Sequence, residues 1–202
     1  MGKDNDMIKS YSGPPEKTLD YSKVAHLVGQ SSPFHEPHDI VTKSDIRHWC
    51  EVMQDSNPLY TDEEYAQDSR YGSIIAPPSM VQTWSLDDMH DALQRFVHAN
   101  QPFKEDPHNQ LFDIIDSEGY NGVVATAQEQ WYLKSIRPGD TIRSKITVAN
   151  VSKYDHHTRQ GVGRYVDIVF TFINQRDEEV CKASFRVLKY KPPMDTRHLY
   201  EG

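Results

Sequence analysis

The stretch from Val123 to Tyr190 constrains the fold most tightly. Four segments, 123–133, 141–151, 164–174 and 179–190, are rich in β-branched and aromatic residues. They are separated by Pro138-Gly139-Asp140, by residues 154–163 and by Gln175-Arg176-Asp177-Glu178, so the pattern predicts an antiparallel meander. The half of the chain ahead of it reads as helical. Thr42-Lys43-Ser44-Asp45 is a helix start, and Ile46, Trp49, Cys50 and Met53 form one apolar stripe that delivers Asp55 at its end. Pro58 is expected to stop that helix, and Thr61-Asp62-Glu63-Glu64 to open a short one through about residue 67. Pro77-Pro78 suits the N-terminus of a long helix whose buried candidates are Met80, Val81, Trp84, Leu86, Met89, Leu93, Phe96 and Val97. Residues 99–110, with two prolines and few apolar side chains, read as an exposed loop.

Helices followed by an antiparallel sheet make an α+β chain. A curved sheet wrapped around one long helix fits this order, because such a helix must bury its sides; pattern alone leaves other α+β folds open. With 202 residues the chain holds one domain with extensions. The expected division is an N-terminal arm over 1–38, a domain over 39–192 and a tail over 193–202. The arm contains one short apolar cluster, Val24-Ala25-His26-Leu27-Val28, and is expected to lie over the domain.

Composition removes several classes of function. Hydrophobic residues make up only 37% of the chain, yet 11 Tyr, 7 Phe and 3 Trp are too many for a disordered sequence. A net charge of −8 without a dense cationic stripe argues against nucleic acid as a partner. A phosphorylated small ligand remains compatible with a few local cations, of which Lys134, Arg137, Arg143 and Lys145 are the nearest group. Cys50 and Cys181 are the two cysteines, and the polar start of the chain has no apolar signal region, so a cytoplasmic protein with reduced thiols is expected. Asp6 stands where a myristoylation signal wants Ser or Thr, and no run approaches the ~18 apolar residues of a membrane span.

Two histidine groups, His35-Glu36-Pro37-His38-Asp39 and His156-His157, lack the partner ligands of a defined metal motif and read as surface loop residues. No metal is expected. Trp84 and Met89 read as core residues around the long helix.

The chemically suggestive segment is Asp55-Ser56-Asn57-Pro58-Leu59-Tyr60, followed by Tyr71-Gly72-Ser73-Ile74-Ile75-Ala76-Pro77-Pro78. On spacing alone Asp55 and Asn57 are turn and capping residues. The segment resembles the D-x-N-P-[LIV]-H motif of MaoC-like hot-dog enoyl-CoA hydratases, and Ile136-Arg137-Pro138-Gly139-Asp140 resembles the family's R-P-G-D connection. The resemblance runs from about Val41 to Pro192, some three quarters of the chain. Leu111-Phe112-Asp113 through Val123-Val124-Ala125-Thr126, and Phe185 to Pro192, look most like the larger subunit of the bacterial steroid side-chain enoyl-CoA hydratase.

The resemblance implies a hot-dog fold and a site in which an aspartate and a histidine hold and polarise water. Here the histidine position is Tyr60, and a phenol of pKa about 10 is a poor base at neutral pH. The similar larger subunit also has Tyr there, which implies that a second hot-dog subunit carries the Asp/His pair while this chain shapes the acyl-CoA cavity. Asp55, Asn57 and Tyr60 are thus candidate catalytic residues of a degenerate motif. Gly72, Ile75, Ala76, Pro77 and Ser79 are candidates for substrate binding, the N–H groups of this stretch facing a thioester enolate before the helix, with a tight turn of packed prolines as the equal alternative reading. Arg137 is a candidate for a CoA phosphate, with a strand-turn role as the plainer reading. The coenzyme A thioester enters as substrate, and no other cofactor is expected. No C-x-x-C spacing occurs in this sequence, so the zinc-ribbon and OB-fold extension of the best-known members is not expected within it. Two further readings stay open: an autonomous hydratase or dehydratase using Asp55 and Asn57, and a noncatalytic acyl-CoA-binding or scaffolding protein.

Overall fold

The computed structural model describes residues 18–86 and 106–192. Its sheet contains β1 (Gly122–Tyr132), β2 (Arg143–Val151), β3 (His156–Thr158), β4 (Gly161–Ile173) and β5 (Glu179–Tyr190). The spatial order is β1-β5-β4-β2, antiparallel throughout, with β3 paired to β4. Strands β2, β4 and β5 follow one another as a meander, but β1 leaves the expected order and pairs with β5, Gly122 opposite Tyr190 and Tyr132 opposite Cys181. The reason is the connection 133–142, which is not a hairpin turn. Its ends lie on opposite sides of the sheet, ~14 Å apart at ~4.8 Å per strand, within reach of ten extended residues. Register shifts between Ala125 and Ala127, Val148 and Asn150, and Phe172 and Ile173 add the local bends that curve a sheet.

Residues 18–35 lie against this sheet. Two 3-10 turns, Tyr21–Lys23 and Ala25–Leu27, bury Leu19, Val24 and Leu27. The following residues then run along β2, with the Gly29 amide donating to Val148 O at 2.7 Å and the His35 amide to Ser144 O at 2.7 Å. The free edge of β2 is thereby covered, as an edge strand otherwise offers unpaired backbone groups to any passing strand. Among the described residues β1 is the opposite edge, largely exposed, with Val123, Trp131 and Tyr132 in solvent.

Helix α1 (Lys43–Met53) begins as its sequence predicts, with the Thr42 hydroxyl accepting the Asp45 amide at 3.1 Å. It ends on Gln54 in the left-handed conformation, φ 55°, before Pro58 is reached. Pro58 instead occupies the first turn of α2 (Pro58–Thr61), where its missing N–H costs nothing. Asp62, and not Thr61, caps α3 (Glu63–Asp68) by accepting the Tyr65 amide at 3.0 Å. Within the α1 stripe Ile46 and Cys50 are buried, while Met53 is exposed.

The residues after Pro77 form a 3-10 helix, Pro78–Ser85, rather than the start of a regular α-helix. Met80, Val81 and Trp84 are buried as expected, whereas Leu86 is exposed; Met89, Leu93, Phe96 and Val97 lie outside the described residues. The expected loop over 99–110 is also corrected where it is described, because α4 (Pro107–Ser117) begins inside it. Asp106 caps α4 and Pro107 takes its first position, a start signal that two prolines in a polar run conceal. Leu111 and Ile115 of α4 join Leu19, Val24, Tyr120, Val148 and Val166 in one apolar cluster. A second cluster gathers Val41, Ile46, Ile74, Met80, Trp84, Ile136 and Phe172, and Phe170 packs against both.

Candidate active site

Asp55 follows the left-handed turn that ends α1, and its amide donates to Cys50 O at 2.9 Å. The exposed carboxylate accepts the Asn57 amide at 3.1 Å, and the Asn57 side chain accepts the Leu59 amide at 3.1 Å, capping α2. Each therefore has a local structural task of the kind short polar side chains perform in turns. α2 carries Tyr60, half-buried, against the cluster that contains Ile46, Ile74 and Ile136. Burial raises the pKa of the phenol, and the Asp55 charge raises it further, against a smaller opposing hydrogen bond from Asn57. A phenol whose pKa is raised above its ordinary value of about 10 stays protonated at neutral pH and is a still poorer base.

The 72–77 segment is strapped beside this motif. The Ile75 amide donates to Leu59 O at 3.3 Å and the Ala76 amide to Ile136 O at 2.8 Å. Those two N–H groups are already engaged by the protein, so they are not aimed at a thioester oxygen. Gly72 has φ 67° with open space where a Cβ would stand, which explains a glycine there by backbone conformation rather than by crowding. Pro77 is buried and Ser79 exposed.

Two clefts flank the segment. One, of about 410 Å³, is lined by Lys43, Glu63, Gly72, Ser73, Ile74 and Arg137. Arg137 donates to the Ser73 hydroxyl, and Lys43 pairs with Glu63 at 2.7 Å. The other, of about 330 Å³, is lined by Tyr71, Ile75, Ala76, Tyr132, Lys134 and Cys181 among others. The predicted binding residues are thus divided: Gly72 and Arg137 share the first cleft, Ile75 and Ala76 the second, and Asp55, Asn57 and Tyr60 line neither.

The expected local cation group is dispersed in the same way. Lys134 pairs with Glu178, Arg143 with Asp177, and Lys145 sits 5.0 Å from the Phe34 ring centroid. The turn that presents Arg137 is fixed by the buried Asp140, whose carboxylate accepts the Arg137 amide and the Gln175 side chain, each at 2.8 Å. Cys50 and Cys181 are free and buried; burial pushes the Cys181 thiol up to about 11. Neither has the lowered pKa of a reactive thiol.

Neither histidine group forms a metal-ligand cluster, and no such cluster occurs among the described residues. His156 instead packs edge-on against Tyr165 on β4, ring centroids 5.1 Å apart. His35 faces a group the sequence reading missed. It lines a cavity of about 430 Å³ together with Asp106 and His108, where His108 Nδ1 lies 2.7 Å from the Asp106 carboxylate. The Asp-Pro-His order marks the helix start that places this pair, but nothing in the sequence brings His35 to it.

The family described as FAS1-like, dehydratase domain region, matches residues 26–183. A probable enoyl-CoA hydratase alpha subunit of Thermomonospora curvata is 32% identical over 148 residues, 73% of this chain and 44% of the relative. The 3-oxo-4,17-pregnadiene-20-carboxyl-CoA hydratase alpha subunit of Mycobacterium tuberculosis is 32% identical over 160 residues, 76% of this chain and 46% of the relative. The chain therefore spans less than half the length of these curated relatives. A chain of the ChsH1–ChsH2 complex from Mycobacterium tuberculosis superposes with a TM-score of 0.73 at 28% identity, covering 85% of this chain and 91% of that one. The MaoC-like dehydratase of Rhodospirillum rubrum shares the fold, with a TM-score of 0.52 at 19% identity over 88% of this chain and all of that one. These matches establish that the chain belongs to the FAS1-like dehydratase-region family, and it shares the fold of a MaoC-like dehydratase.

Proposed function

We propose that this chain is the histidine-less subunit of a heteromeric enoyl-CoA hydratase acting on a bulky, steroid-like acyl-CoA, and that a second hot-dog subunit supplies the Asp/His pair that activates water. The observation that carries this reading is Tyr60: the motif position that would hold a base carries a phenol, protonated at neutral pH, whose pKa burial and Asp55 raise further. The alpha-subunit names of two relatives and the likeness to a chain of a two-component complex support it. So does β1, an eleven-residue edge strand with exposed Val123, Trp131 and Tyr132, since an open apolar edge suits pairing with another sheet. The cleft that contains Ile75 and Ala76 reaches this edge at Tyr132 and Leu133, so a pairing there would bring a partner's residues to the mouth of the cleft.

The test is hydration of a short and of a steroid-derived enoyl-CoA by the purified chain, alone and mixed with a small hot-dog protein that retains the intact Asp/His motif. Turnover confined to the mixture supports the proposal. Robust turnover by the chain alone overturns it in favour of an autonomous hydratase, with Tyr60 a working part of a modified site.

A further inference from the structure

The cavity around His108 lies outside the motif and outside both clefts beside it. One wall is apolar, made by Leu86, Ile146, Phe170 and Phe172, with the two phenyl rings stacked at 6.2 Å between centroids. The other end is polar. Asp106, 6% exposed, accepts both the backbone amide of His108 at 3.1 Å and its Nδ1 at 2.7 Å, and His35 Nε2 lies 4.0 Å from the second carboxylate oxygen. Capping of α4 accounts for the first of these bonds but not for the second. A carboxylate on Nδ1 fixes the proton on that nitrogen and leaves Nε2 of the neutral ring as an acceptor. Among the described residues no hydrogen bond to His108 Nε2 is formed.

An apolar slot ending in an oriented imidazole matches a ligand of the same polarity. Its volume of about 430 Å³ falls within the ~300–1,000 Å³ of ordinary small-molecule sites. It also adjoins the candidate acyl site. The 3-10 helix Pro78–Ser85 has Pro78 in the cleft with Ile75 and Ala76, and Ser85 in this cavity, a span of ~14 Å at ~2 Å per residue. The register pairs Phe172 of this cavity with Cys181 of that cleft on neighbouring strands. Directly opposed residues share a face of the sheet, so the two spaces lie side by side.

We infer that this cavity is a recognition subsite for a hydroxyl group at the end of a ring-bearing acyl chain remote from its thioester, the hydroxyl donating to His108 Nε2 while Asp106 holds the ring. The inference rests on the acyl-CoA reading above and adds a requirement to it. The preference comes from a polar partner buried with an apolar ring system, where a ligand lacking the hydroxyl strands the imidazole nitrogen without a donor.

Isothermal titration of the full chain with 3-hydroxycholanoyl-CoA and with cholanoyl-CoA, its deoxy counterpart, tests this. The wild-type chain should bind the hydroxylated thioester about tenfold more tightly, the size of one well-placed buried hydrogen bond. In His108→Phe that preference should disappear while affinity for cholanoyl-CoA changes less than about twofold. The wild-type comparison needs no variant to fold. Equal binding of the two thioesters overturns the subsite and leaves the acyl-CoA reading intact, as does a preference that survives His108→Phe. Binding of neither thioester, by the chain alone and by its mixture with the hot-dog protein that retains the Asp/His motif, overturns both.

Discussion

Tyr120 donates its phenol hydrogen to Asp155, both of whose oxygens lie 2.9 Å away, and the same phenol accepts the Leu19 amide at 3.1 Å. Arg164, also buried, grips the other side of Leu19 through its carbonyl at 2.7 Å and pairs with Asp155 at 2.6 Å. The N-terminal segment is thereby locked to β4 and to the end of α4 by one polar network in an apolar setting. Tyr120→Phe leaves the Leu19 amide and Asp155 each short of a partner and should cost about 1–3 kcal/mol in urea unfolding. Arg164→Ala strands a nearly buried carboxylate and should cost more, about 3–5 kcal/mol. Equal stability of either variant and the wild type would show the network to be incidental.

Gly163 faces β5 so closely that an added Cβ would stand 2.6 Å from the Lys189 carbonyl oxygen and 2.8 Å from Tyr190 Cβ. Backbone cannot withdraw as a flexible side chain can. Gly163→Ala is expected to lower stability by about 1–3 kcal/mol, read from the shift in denaturation midpoint at unchanged m-value.

Glu178 accepts from Asn174 at 2.8 Å and Arg176 at 2.9 Å and pairs with Lys134, which lowers its pKa from 4.5 to about 2. Because the folded value is the lower one, its stabilising contribution is complete above about pH 4.5 and is lost as the pH falls toward 2. Glu178→Gln should therefore be less stable than the wild type at pH 7, with the difference shrinking through the acid range. A difference independent of pH would contradict this.

Asp140 joins the turn that carries Arg137 to the turn between β4 and β5 through Gln175. Asp140→Ala should destabilise by about 1–3 kcal/mol and weaken ligand binding in the cleft of Arg137, whereas Gln175→Ala should be milder because the Arg137 amide keeps its acceptor. Denaturation and CoA titration on the two variants separate these effects.

Much of this architecture is legible in the chain because it depends on local rules. Strand limits follow alternation and turn residues, and β5 begins and ends where the sequence places it, at Glu179 and Tyr190. The Thr42 cap is likewise read from four residues. What escapes is long-range. Nothing near Tyr132 says that β1 pairs with β5 instead of β2, since that choice is made by packing and by the crossing connection. Pro58 illustrates a different failure: a proline is compatible both with ending one helix and with beginning the next, and Gln54 had already ended α1. The Asp55 to Tyr60 motif and the weak basicity of its phenol are legible in the sequence, but the further rise of the Tyr60 pKa is a property of its burial and of the nearby Asp55 charge. The His35, Asp106 and His108 group was invisible because 71 residues separate its first two members.

The central claim is that this chain shapes an acyl-CoA site whose proton chemistry belongs to a partner. The most direct measurement is kcat/KM for enoyl-CoA hydration by the reconstituted pair, with substitutions placed on one subunit at a time. Tyr60→Phe and Asp55→Asn in this chain should each change the rate less than about threefold, while removal of the motif histidine in the partner should lower it by about 10²-fold or more. Loss of activity in Tyr60→Phe with the partner variant still active would contradict the account and assign the chemistry to this chain.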